Sequence, residues 1–358
     1  MDKQNRREFP TEWLNLMRFL AIFFIMWSHF DNRIFAAVNP TGMNVQKLCF
    51  FPPTPGSVLF YGYTGKYAVT MLCVISGFIT AWSCDRRSRR PFVKFVIRRY
   101  LRLILPVTGI SLIYLAVCAL SGRRLYSAAS VLHALFCLGS EVIVSYYWCL
   151  PAFLLGNCLI YLLVVLDQKA KKISPPGKLA LLGFLVVGSF LVSYKIYNSR
   201  LFWTTAVLAG YLVYQCYMTV DIKLPGYVIV LLAAVVYWLP RGEESLKIYM
   251  RCTLASCIVV YALLHMKKTS EKISGFCRRK KVKELLKYSY PLFIVHGFTE
   301  FLFSSSVIWQ IQARTQSWWL TYLISFALKT LCDFAAAFLI HYIFEEKIQR
   351  RILSLLRL

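Results

Sequence analysis

Arg18 and His29 stand eleven residues apart in an otherwise apolar stretch, RFLAIFFIMWSH. An imidazole titrates near neutrality and so takes up or releases a proton, whereas a guanidinium keeps its charge and holds an anion. The spacing is close to three turns of an α-helix, which puts both side chains on one face about 16 Å apart. The bland alternative is a snorkelling Arg18 at one membrane interface and a hydrogen-bonded His29 near the other. These two residues alone leave both readings open.

Further candidates follow along the chain. Arg98, Arg99 and Arg102 lead into LILP, and Arg99 and Arg102, three apart, are neighbours on one helical face. Two guanidiniums so placed suit bidentate capture of phosphate groups; their structural alternative is the basic charge that keeps a loop cytoplasmic. In MLCVISGFIT, Ser76 offers a hydroxyl, and Gly77 permits close approach of another backbone. Trp148, in YYWCLPAFLLG, falls at an outer interface, where aromatic side chains collect. Ser289 and His296 are seven apart in KYSYPLFIVHGF and share a face. Lys329 and Asp333 sit at i and i+4, for which a self-neutralising intramembrane ion pair is the simpler account. His341 and Glu345 repeat that spacing. No CxxC or Cys/His ligand spacing occurs, so no metal site is expected.

Composition says which elements hold these side chains. Of 358 residues, 58% are hydrophobic and 16% charged, and the apolar runs approach the roughly 20 residues that a ~30 Å hydrocarbon layer demands of a helix. Backbone groups in lipid must pair within their own segment, so the chain is predicted to be an all-α, polytopic membrane helix bundle. The net charge of +26 lies between the apolar runs, in DRRSRRPFVKFVIRR (85–99), DQKAKK (167–172), KKTSEKISGFCRRKKVKELLK (267–287) and the terminal segments. That is the pattern of cytoplasmic loops, and it argues against a nucleic-acid partner. Of twelve cysteines, Cys73, Cys118, Cys137, Cys149, Cys158, Cys252, Cys257 and Cys332 lie in apolar runs, where a thiol behaves as a small hydrophobe.

Ten spans are predicted, at 13–30, 60–83, 100–120, 147–166, 179–196, 201–217, 226–240, 249–266, 288–309 and 318–344, with both termini and the basic runs on one side. Residues 126–140 are expected to form an outer-face amphipathic or re-entrant segment, residues 31–58 the longest outer loop, and residues 267–287 a helix on anionic headgroups. The first span carries no small-residue cleavage site and is read as uncleaved. No stretch outside the spans is long enough for a soluble catalytic domain, so residues 1–358 are read as a single integral membrane domain.

Six pieces recur together: Arg18 with His29, ISGF at 75–78, RRYLRLILP at 98–106, YWCLPAFLLG at 147–156, YSYPLFIVH at 288–296 and FEEK at 344–347. In their order and coverage the sequence resembles the acyltransferase-3 family of integral membrane acyltransferases. The resemblance implies ten spans with both termini cytoplasmic, in a cell membrane, that of a bacterium. It also implies transfer of an acyl group, most often acetyl, from cytoplasmic acyl-CoA to a hydroxyl of a surface or exported glycan, without a metal. The partners are then acyl-CoA (acetyl-CoA) as donor substrate, a glycan or lipid-linked saccharide acceptor, and membrane lipids.

Within that reading His29 is the general base, or is itself acylated and relays the group, and Arg18 holds the donor or stabilises developing oxyanion charge. Arg99 and Arg102 take the CoA phosphates, while Ser76, Trp148, Ser289, His296 and Glu345 bind substrate or orient the central pair. Two departures bear on the acceptor: the glutamate that often follows the tryptophan is replaced by apolar PAFLLG, and the proline often found after FEEK is Ile348. The competing class is a transporter or flippase-like exporter of an envelope component, with Lys329 and Asp333 as a coupling element.

Overall fold

The computed structural model describes residues 11–38, 64–86, 91–120, 149–169, 174–196, 198–220, 225–238, 245–299 and 305–356. Among them every regular element is helical and none is a strand. In chain order they are α1 (Glu12–Val38), α2 (Thr64–Arg86), α3 (Phe92–Leu120), α4 (Leu150–Lys169), α5 (Pro175–Lys195), α6 (Ser199–Thr219) and α7 (Gly226–Trp238). Then follow α8 (Ser245–His265), α9 (Lys267–Arg278), α10 (Lys280–Lys287), α11 (Ser289–Thr299), α12 (Ser305–Thr315) and α13 (Trp318–Ile340). A π-helical stretch (His341–Gln349) and α14 (Arg350–Leu355) close the series.

Six helical stretches among the described residues are long and apolar enough to cross a bilayer: Glu12–Asp31, Gly65–Asp85, Leu150–Gln168, Pro175–Lys195, Lys247–His265 and Trp318–Leu355. The chain is an all-α, multi-pass membrane protein. Helices also occupy the other predicted spans, α7 as a shorter apolar helix. The ninth predicted span, 288–309, is not one described helix but α11 and α12, with residues 300–304 outside the described set. Local chemistry sets several starts. Ser174 caps α5 by accepting from the Gly177 N–H, with Pro175 at the first helical position, and Asn198 caps α6 through the Leu201 N–H.

Several boundaries differ from expectation. α3 begins at Phe92 rather than at residue 100, so Arg98 and Arg99 are helical. α1 continues past residue 30 to Val38, so Asp31, expected at the start of the outer loop, is helical and buried. The predicted headgroup helix at 267–287 is two helices, α9 and α10, parted at Arg279. The segment 126–140 lies outside the described residues, as does the rest of the outer loop from residue 39.

Two compact units make up the chain, and their boundaries fall inside α1, α2, α3 and α10 and just before α4. The first comprises Met1–Ala21, Val69–Arg99 and Cys149–Leu286. In it α2 crosses α6 closely. A Cβ on Gly77 would stand 1.9 Å from the Val207 carbonyl oxygen, and one on Gly210 would stand 2.0 Å from the Val74 carbonyl oxygen. Reciprocal glycines bring the two backbones together, because lipid offers helices packing rather than a hydrophobic driving force. α9 is tied to the start of α1: the Trp13 N–H donates to Ser274 Oγ at 3.3 Å, and Arg278 pairs with Glu12 at 3.5 Å.

The second unit comprises Ile22–Ala68, Tyr100–Trp148 and Lys287–Leu358. Its core joins α1 to α12 and α13 through Phe30, Ile34, Ile308 and Tyr322, with Trp318 and Phe326 packed against them. Inside α3, Pro106 has no N–H for the preceding turn; one residue beyond the carbonyl it leaves, Leu103 O accepts from the Tyr290 hydroxyl of α11 at 2.7 Å.

Candidate functional site

In the second unit α1 is held on α13 by aromatic side chains, with Phe23 edge-on to Phe326 at 5.8 Å between centroids and Phe30 at 5.3 Å from the same ring. Trp27 Nε1 donates to the Tyr322 hydroxyl at 2.5 Å, and that hydroxyl donates to Asp31 Oδ1 at 2.7 Å. Between Trp27 and Asp31 in sequence, half-buried His29 meets the fully buried His296 of α11, with ring centroids 5.2 Å apart.

The tautomer of His296 follows from its partner. Its Nδ1 lies 2.6 Å from the Phe293 carbonyl oxygen, which only accepts, so Nδ1 carries the hydrogen and Nε2 of the neutral ring is the proton acceptor. Below the pair, Lys329 Nζ donates to the His296 carbonyl at 3.3 Å and to Asp333 Oδ2 at 2.8 Å. Two imidazoles in contact, one with a fixed tautomer, are equipped to accept and pass a proton.

A separate polar chain lies in the first unit. Arg99 Nη2 donates to Thr80 Oγ1 at 2.8 Å, so the threonine's own hydrogen is free for Asn157 Oδ1 at 2.6 Å. Asn157 Nδ2 then donates to Ser76 Oγ at 3.3 Å. Ser76, Thr80 and Asn157 are buried and neutral, while Arg99 is half-buried beside Phe95. Through Thr80 the network orients the Arg99 guanidinium with neutral groups.

Residues 11–338 match the family model for the acyltransferase domain of the acyltransferase-3 family. The chain belongs to this family. Neither a curated protein nor a solved structure matches it. In the acyltransferase, His29 and His296 come together, as do Ser76 and Arg99 through Thr80 and Asn157. Arg18 is half-buried on the same helix as His29 but belongs to the first unit. Arg102, in the second unit, is exposed and interacts electrostatically with Glu345, whose carboxylate is 2.5 Å from His341 Nδ1. Ser289 is half-buried at the start of α11, and Trp148 lies outside the described residues.

The residues that sequence reasoning passed over are Asn157, Thr80, Thr299, Asp31 and Tyr322. Asn157 carried a usable signal, as a lone amide in the apolar run LLGNCLIYLL. Thr80 and Thr299 carried none, because hydroxyls are ordinary in membrane helices, where they bond their own preceding turn.

Proposed function

We propose that this acyltransferase moves an acyl group, acetyl above all, from cytoplasmic acyl-CoA to a hydroxyl of a surface or exported glycan in the cytoplasmic membrane of a bacterium. The observation that carries the reading is the family match across residues 11–338. The contact of His29 with His296 supports it by supplying a proton acceptor of the right kind. In the proposed reaction the acceptor hydroxyl gives its proton to His29 while its oxygen attacks the thioester carbonyl carbon. The resulting oxyanion collapses, the C–S bond breaks, and the CoA thiolate leaves with the proton that the imidazole had taken. Arg18 holds the donor or faces the developing oxyanion charge.

Arg99 and Arg102 are assigned to the CoA phosphates, Arg99 being the better oriented of the two. Ser76 acts on that side through Asn157. Ser289, Glu345 and Trp148 line or orient the donor and acceptor, and residues 1–358 work as one membrane domain with both termini cytoplasmic.

Purified protein in liposomes, given labelled acetyl-CoA and candidate glycans, tests the proposal. Label appearing on a glycan hydroxyl supports it, whereas glycan movement across the bilayer without acyl turnover supports an exporter instead. His29→Ala is expected to abolish transfer with expression and folding intact; retention of more than about a tenth of the activity removes His29 from the base role.

A further inference from the structure

Lys329 and Asp333 place two ionisable groups in the interior of α13, at 1% and 0% exposure. Self-neutralisation accounts for such a pair where it touches nothing else. Here it has further partners. Lys329 Nζ reaches past Asp333 to the carbonyl oxygen of His296, and the Thr299 hydroxyl lies 3.0 Å from the same carbonyl while also bonding Asp333. His296 and Thr299 lie about one turn apart on α11, and both are held by the ion pair. The pair is therefore anchored on the backbone of α11 at the residue whose ring meets His29.

Thermodynamics gives a second reason to look beyond neutralisation. A buried ion pair is commonly no more stabilising than apolar side chains of similar size. What apolar residues cannot supply is a donor to the His296 carbonyl.

We propose that Lys329 and Asp333 are positioning residues for the transfer reaction, which clamp α11 through the His296 carbonyl and Thr299 and so hold the His296 ring against His29. The inference deepens the proposed function and rests on the role given there to His29.

The deciding variant removes both charges together, as Lys329→Met with Asp333→Leu, with Lys329→Gln and Asp333→Asn as a more nearly isosteric pair should the first fail to fold. If the ion pair only neutralises itself, the double variant turns over like the wild type, and the proposal is overturned. Positioning predicts a folded double variant with kcat about 10- to 100-fold lower and KM for acetyl-CoA within about twofold. A loss confined to KM also overturns it. Asp333→Glu, which keeps the charges, is expected to recover part of the rate.

A second readout needs no turnover: modification of His296 by diethyl pyrocarbonate, followed by peptide mass spectrometry. The buried ring is expected to react slowly in the wild type and several-fold faster once the clamp is gone; equal rates overturn the clamp. If His29→Ala retains transfer, the proposed function fails on its own account, while the modification rates still decide whether the clamp exists.

Discussion

Two cation sites in this protein, one half-buried and one fully buried, are held in different ways. In the first unit Arg99 is met by a threonine hydroxyl and, behind it, an amide, both of them neutral. In the second unit Lys329 is met by a carboxylate one turn away and a backbone carbonyl, so its charge is neutralised within the fold. A cation held by neutral groups suits the proposed binding of an anion from outside, and one neutralised within the fold suits the proposed alignment.

The comparison breaks first at Asp333. Asp333→Asn leaves the Lys329 ammonium buried without its counterion, and the expected destabilisation is about 3–5 kcal/mol, read as a lower thermal midpoint in detergent. The Arg99 hydrogen bond to Thr80 has a neutral acceptor, so losing it is expected to move the midpoint less, and a midpoint for Asp333→Asn close to wild type would erase the distinction. Next comes Arg99→Ala, expected to leave the midpoint nearly unchanged but to raise KM for acetyl-CoA roughly 10- to 150-fold, the value of a lost charge-assisted hydrogen bond of about 1.5–3 kcal/mol. An effect on kcat with KM unmoved would detach Arg99 from the phosphates. The smallest effect sharpens the picture. Thr80→Val keeps the guanidinium but removes the hydroxyl that aims it, and KM should rise only about 2- to 10-fold, with kcat preserved.

Much of the architecture could be read from the residues. Apolar runs of bilayer length dictated helices, and basic runs marked the segments between them, because a backbone in lipid has no other way to satisfy its polar groups. Gly77 was marked for close backbone approach, and α6 is the helix that approaches, through the matching Gly210. The pairing of Lys329 with Asp333 was equally legible, since partners four apart on one helix need no knowledge of the fold. Reading stopped short where partners come from distant sequence. Asp31 falls at the start of the predicted outer loop, 31–58; Tyr322, 291 residues away, makes it an interior residue instead.

The sequence by itself determined a polytopic helical protein, the family to which it belongs, and every contact governed by helical spacing. Tertiary structure alone decided that His29 meets His296, that Arg99 reaches Asn157 through Thr80, and that Lys329 donates to the backbone of another helix. The reason is physical: a periodicity of 3.6 residues fixes what lies on one face of one helix, but which faces meet depends on side-chain packing and hydrogen bonding among all the helices at once.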